Sequence, residues 1–202
     1  MSGDLPQVML GRQSIVDRDN RLVAYELLYR NDARRDADVI DDAKATAQVV
    51  KRTFHDLGVT RVLGTMRGFV NVDAEALMSR HIQRLPANRV VLEVLETVVI
   101  DEHLVRRCRE LKRLGFRLAL DDFCCYEERF EPLLELAHIV KVDVLKLERH
   151  VLAALVQRLK AYPARLLAEK VDTLERARHC LALGFDLFQG FFFGRPTLLR
   201  TV

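Results

Sequence analysis

Apolar residues follow two alternating rhythms along the chain. In the first, they recur three and four positions apart and the run ends in Leu-Gly plus another apolar residue, as at Leu57-Gly58-Val59, Leu114-Gly115-Phe116 and Leu183-Gly184-Phe185. That spacing predicts amphipathic helices closed by a glycine able to take the left-handed conformation. The helix before Gly115 carries Leu104, Val105, Cys108, Leu111 and Leu114 on one face, with Asp101 as its N-cap; the helix before Gly184 carries Ala177, Cys180 and Leu181, with Asp172 as its N-cap. In the second rhythm, short continuous apolar runs fill the intervals, at Val62-Leu63 and at residues 90–95, 116–120, 139–144, 166–168 and 185–188. Continuous rather than alternating runs fit strands of a parallel sheet that helices cover. The start differs, because residues 8–16 and 22–29 flank the turn-forming cluster Asp17-Arg18-Asp19-Asn20 and predict an opening hairpin.

Such alternation leaves an open doubly wound sheet or a closed (β/α) barrel. No glycine-rich phosphate loop follows the first strand, which favours the barrel. At 202 residues the chain is long enough for one well-buried core, and no linker divides it, although residues 31–42 read as an exposed loop. The 32 basic and 29 acidic side chains are dispersed, with a net charge of +3, so no basic stripe suggests DNA as a partner. Cys108, Cys124, Cys125 and Cys180 lack the spacing of a zinc or disulfide framework and fit a reducing cytoplasm. No apolar run is long enough to span a bilayer and no signal peptide opens the chain, so no membrane association is expected.

In a parallel barrel each strand delivers its C-terminal residue to one common face. The predicted strand ends carry Glu26, Asn71, Glu93 with Glu96, Asp121 with Asp122, Lys141 with Asp143, Glu169 and Gln189. Any one of them reads more simply as a solvated or capping group, and Asp73 and Asp101 are read as caps. Joint occurrence at corresponding places changes that reading, because so many carboxylates at one apolar mouth require a cation. Oxygen donors without His or Cys suit Mg²⁺ or Mn²⁺ rather than zinc, and the neighbours Asp121-Asp122 are placed to bridge two ions. Phe191-Phe192-Phe193 reads as packing at the last strand, and the arginine-rich stretch 105–117 as the wet face of a helix.

The ordered motifs Tyr25-Glu26-Leu27-Leu28-Tyr29-Arg30, Phe69-Val70-Asn71, Leu92-Glu93-Val94-Leu95-Glu96, Leu118-Ala119-Leu120-Asp121-Asp122-Phe123, Val140-Lys141-Val142-Asp143, Ala168-Glu169-Lys170-Val171-Asp172 and Phe188-Gln189-Gly190-Phe191 resemble the EAL domain family. The variants Gly11-Arg12-Gln13-Ser14-Ile15 and Ala168-Glu169-Lys170-Val171 resemble the EAL half of EAL-HDOD signalling proteins. The resemblance implies an α/β, TIM-like (β/α)8 barrel with an antiparallel first strand, one domain over residues 1–202 without an HDOD portion. It further implies cyclic di-GMP as ligand, cleaved to pGpG by active members. Glu26, Asn71, Glu93 and Asp121 would then ligate one Mg²⁺ or Mn²⁺, and Asp121 with Asp122 a second. Lys141 and Glu169 would orient and deprotonate the attacking water with support from Gln189. Arg30 and Gln13 would meet the substrate, and Glu96 would anchor a loop. An HDOD domain or another signalling protein is the expected partner, and a homodimer is a further expectation.

The departures bear on activity. Active members follow Asp-Asp-Phe with a glycine-containing flexible loop, where this chain has Phe123-Cys124-Cys125-Tyr126-Glu127-Glu128. The Glu-Ala-Leu signature becomes Glu26-Leu27-Leu28, Lys170 stands in place of a glycine, and the stretch from Glu26 to Asn71 is short. The expectation is a degenerate domain with weak or absent hydrolysis, acting by nucleotide or protein interaction. An active phosphodiesterase is the alternative, and a nucleotide sensor the third reading.

Overall fold

The computed structural model describes residues 8–31, 54, 58–95 and 98–199. Strands β1 (Val8–Asp17) and β2 (Leu22–Asn31) form the opening hairpin, followed by α1 (Val59–Leu63), β3 (Arg67–Val72), α2 (Ala74–Met78) and β4 (Val90–Val94). Next come α3 (Glu102–Arg113), β5 (Arg117–Leu120), α4 (Glu131–Leu134), β6 (Ile139–Asp143), α5 (Arg149–Leu159), β7 (Arg165–Glu169), α6 (Leu174–Leu183), β8 (Leu187–Phe188) and β9 (Thr197–Leu199). The chain runs in parallel from β2 to β8, and β1 closes the circle by pairing antiparallel with both β2 and β8. The (β/α)8 barrel with an antiparallel first strand is thus the observed architecture.

Strand geometry explains how this barrel is filled. Because side chains alternate between faces, each strand sends every second residue inward. Ile15, Ala24, Phe69, Val91, Ala119, Ile139, Leu167 and Leu187, one from each of the eight strands, form a separate inner apolar cluster. The intervening residues, such as Val70, Leu92, Leu118, Val140 and Ala168, face outward into a larger core with Leu104, Cys108 and Leu111 of α3, Val156 of α5 and Cys180 of α6. Both faces of the strands are therefore dry, which is why their sequences read as continuous apolar runs.

Helix ends follow from local chemistry. Asp101 accepts from the Leu104 amide at 2.8 Å and Asp73 from the Ala76 amide at 2.6 Å, as N-caps do. Gly184 ends α6 with a left-handed φ of 96°. The N-cap of α6 is Thr173, whose hydroxyl accepts from the Arg176 amide, and not Asp172, which instead pairs with Arg176.

Two further expectations change. Val62 and Leu63 are not a strand: they are the buried face of α1, and the strand begins later at Arg67. A two-residue apolar run has no measurable period, so a short helix and a short strand look alike. The ninth strand was not anticipated; Thr197–Leu199 pairs with Leu10–Arg12 of β1 outside the barrel circle. Arg107 of α3 is buried rather than on a wet face. It donates from Nε to the Leu77 carbonyl at 2.8 Å and from Nη2 to the Ser79 carbonyl at 3.1 Å, tying α3 to the end of α2. Of the loop expected at 31–42, Asn31 is instead the last residue of β2 and residues 32–42 lie outside the described residues.

Candidate metal centre at the barrel rim

The rim residues stand two positions beyond the inner apolar layer on each parallel strand. Ala24 leads to Glu26, Phe69 to Asn71, Val91 to Glu93, Ala119 to Asp121, Ile139 to Lys141, Leu167 to Glu169 and Leu187 to Gln189. On antiparallel β1 the same step runs backwards, from Ile15 to Gln13, which lies opposite Glu26. A second inward-facing layer, wholly polar, therefore sits directly on the apolar one at the C-terminal mouth.

Lys141 is the centre of this layer and is fully buried. Its Nζ lies 2.5 Å from Glu93 Oε1, 2.7 Å from Asp121 Oδ1, 2.9 Å from Glu169 Oε1 and 3.6 Å from Glu26 Oε1. Gln189 Nε2 donates to Glu26 Oε2 and, at 3.1 Å, to Gln13 Oε1. Gln13 Nε2 in turn donates to the Gly194 carbonyl at 3.1 Å, which holds the segment after β8 against the rim. Asn71 is buried beside Glu93, its register partner on the next strand.

One ammonium faces four carboxylates, and the electrostatics record the imbalance. Burial lowers the Lys141 pKa, but Asp121, Glu169, Glu26 and Glu93 outweigh it and hold the ammonium protonated well above its usual range. Burial is also the main influence on the acids: it pushes Glu93 well above the usual carboxylate range and Glu169 up to about 8, and Lys141 only partly offsets it. Glu93 Oε2 is buried without a hydrogen-bond partner. The ring carries more negative charge than Lys141 can balance.

Asp122 does not join that ring. Its backbone is left-handed, with φ 49°, a conformation Asp tolerates better than most residues. Its carboxylate faces Lys146 Nζ at 2.5 Å and Lys170 Nζ at 3.9 Å. Lys170, itself left-handed at φ 56°, also donates to Asp143 Oδ2 at 2.5 Å. Sequence reasoning singled out Lys170 only as a replaced glycine, and Lys146 not at all.

The segment after β5 is pinned. Phe123 is buried edge-on against Phe130 with ring centroids 5.0 Å apart, and its amide donates to the Lys141 carbonyl. The Tyr126 hydroxyl bonds to Glu131 and, at 2.9 Å, to the Tyr162 hydroxyl, while Arg158 lies 4.3 Å over its ring. Donation to Glu131 pushes the Tyr126 hydroxyl pKa up. From Phe123 to Glu128 no residue has a positive φ, so the loop keeps a conformation open to any L-residue. Beyond β8, Gly190 has φ 148°, and a Cβ there would fall 2.1 Å from the Val171 carbonyl oxygen, so only glycine fits. Phe193 packs on Phe188 and edge-on against Phe192, while Phe191 and Phe192 are themselves exposed.

The remaining expected residues are less completely placed. Arg30 lies on β2 in register with Met9, and its side chain, like the whole of Glu96, lies outside the described residues. Among the described residues no group of three His, Cys, Asp or Glu side chains has the spacing of a preassembled metal cage. The point where four carboxylates converge is held by Lys141. The donor set nonetheless fits a hard divalent cation, with oxygen atoms, excess negative charge and an unpartnered buried Glu93 oxygen.

A parallel barrel closed by an antiparallel first strand is a TIM-like (β/α) barrel, and its polar ring lies at the C-terminal mouth where such barrels carry their sites. The family model described as EAL domain matches residues 12–196, and the chain belongs to that family. It is 34% identical over 197 residues to the uncharacterized protein YuxH of Bacillus subtilis, covering 96% of this chain and 48% of YuxH. It is 31% identical over 195 residues to the cyclic di-GMP phosphodiesterase CdgJ of Vibrio cholerae, covering 95% of this chain and 45% of CdgJ. The chain thus spans about half the length of these curated relatives. A Klebsiella pneumoniae BlrP1 structure, a manganese and cyclic di-GMP complex, superposes with a TM-score of 0.75 at 22% identity over 97% of this chain and 57% of that one, a likeness of fold. Among the described residues no helix is long and apolar enough to cross a membrane.

Proposed function

We propose that this barrel is a degenerate EAL domain of cyclic di-GMP signalling, which binds a divalent cation and nucleotide at the rim and hydrolyses weakly or not at all. The observation that carries the reading is the under-neutralised ring around Lys141, with four carboxylates against one buried ammonium. Glu26, Asn71, Glu93 and Asp121 would hold Mg²⁺ or Mn²⁺. Such an ion supplies Lewis-acid polarisation of a phosphoryl oxygen and acidifies a bound water.

The chain's own residues have assignable tasks. Lys141 Nζ, fixed by its carboxylates, would orient a water or a phosphate oxygen, and Glu169, 2.9 Å from it, would take a proton from that water. With a pKa near 8 in the absence of a second positive charge, Glu169 holds its proton at neutral pH and is a poor base until a cation offsets the ring. Gln189 aligns Glu26 and Gln13, and Gln13 and Arg30 would contact the nucleotide. The loop opposes turnover: Tyr126 fastens the segment after Asp122 to Glu131 and Tyr162, against the rearrangement that a flexible loop permits.

The complete polar ring favours a second reading, a working metal-dependent phosphodiesterase. Incubation with cyclic di-GMP and Mn²⁺ or Mg²⁺ separates the two. Binding with little or no pGpG is expected, and robust pGpG formation that Glu26→Ala abolishes would establish the enzyme instead. The wider context is proposed on sequence grounds. The segments at 11–15 and 168–171, with a match to about half of each curated relative, support an HDOD domain or another signalling protein as partner. A single EAL domain over 1–202, a cytoplasmic setting and self-association belong to the same proposal.

A further inference from the structure

The rim contains two groups of charges with different balances. In the ring, four carboxylates surround the single ammonium of Lys141. Beside it, among the described residues, Asp122 and Asp143 face Lys146 and Lys170, two carboxylates against two ammoniums. Both oxygens of Asp122 are turned towards a lysine, Oδ2 to Lys146 at 2.5 Å and Oδ1 to Lys170 at 3.9 Å. Asp143, almost wholly buried, receives Lys170 on Oδ2 and the Leu145 amide on Oδ1.

We propose that Lys146 and Lys170 occupy, as fixed ammonium groups, the position beside Asp122 that a second divalent ion would need, so that the rim takes one ion and not two. The inference rests on the reading of the ring as a cation site. Coulomb's law sets the direction: an ion beside Asp122 would meet two ammonium groups within 4 Å of that carboxylate, whereas an ion in the ring meets an excess of negative charge. The placement of Lys170 is specific. Its backbone is left-handed, a conformation that a non-glycine residue adopts rarely, and its side chain is anchored at Asp143.

The test counts bound Mn²⁺ on the full chain, by electron paramagnetic resonance titration of free Mn²⁺ and by calorimetry, without nucleotide. The natural chain is expected to bind one ion, and the double variant Lys146→Met/Lys170→Gly two; glycine suits the backbone at 170. Two ions in the natural chain, or one in a folded double variant, would overturn the inference while leaving the ring site intact. No ion in either protein would defeat the reading of the ring itself. Asp122→Asn guards against a double variant that does not fold: in the natural chain it is expected to leave the single ion and its affinity unchanged. A tenfold loss of Mn²⁺ affinity in Asp122→Asn would show that Asp122 ligates the ion and would contradict the inference.

Discussion

Lys141 is the residue whose loss the fold should tolerate least. Removing one partner from a buried ion cluster leaves the others without compensation and costs about 3–5 kcal/mol. Lys141→Met should therefore lower the free energy of unfolding by about that amount at pH 8, measured by urea denaturation. The penalty should shrink at pH 5, where the raised acids Glu93 and Glu169 hold their protons. The natural chain has its own pH dependence. Glu169 titrates near 8 in the folded ring against 4.5 as its ordinary value, so between those limits the folded state binds the extra proton. A raised acid contributes its stability below the unfolded pKa and loses it as pH rises through the folded one. The metal-free protein should accordingly melt at a lower temperature at pH 8.5 than at pH 5, by scanning calorimetry, and a saturating divalent ion should narrow the difference. A flat profile between those pH values would contradict the charge imbalance at the ring.

At the scale of elements, the clasp on the β5 loop makes a separate prediction. Tyr126→Phe keeps the ring under Arg158 but removes the hydroxyl shared with Glu131 and Tyr162. The change should lower stability only slightly and speed amide hydrogen exchange across residues 123–128 without affecting the barrel strands. Unchanged exchange there would mean that Tyr126 does not restrain the loop. Gly190→Ala should be harsher, because its Cβ would meet the Val171 backbone at 2.1 Å; destabilisation of about 3 kcal/mol or more is expected in the same denaturation assay. Much of this scale was legible in the chain. The dry strands and the glycine-closed helices announce themselves because burial on both faces, or on one stripe, forces a pattern on the sequence. Where no such force acts the reading fails. Val62-Leu63 is too short to show a period, Thr173 and Asp172 are equally good capping types, and β9 is a three-residue edge partner of β1. Arg107 is chemically a surface residue, buried here because the carbonyls at Leu77 and Ser79 and the Glu110 carboxylate receive it.

For the whole molecule, the candidate site was legible because topology is a strong constraint. A parallel barrel gathers strand ends, and the step of two from the inner apolar layer to the polar ring turns Glu26, Asn71, Glu93, Asp121, Lys141, Glu169 and Gln189 into neighbours. The charge balance was not legible: sequence shows which acids exist but not that Lys141 reaches four of them while Lys146 and Lys170 draw Asp122 aside. At this scale the decisive property is the attraction of the ring for a divalent cation. An anomalous difference map from crystals grown with Mn²⁺ tests this most directly. It should show a peak bounded by Glu26, Asn71, Glu93 and Asp121. A map without a peak at the barrel mouth, at Mn²⁺ concentrations that saturate binding in solution, would contradict it.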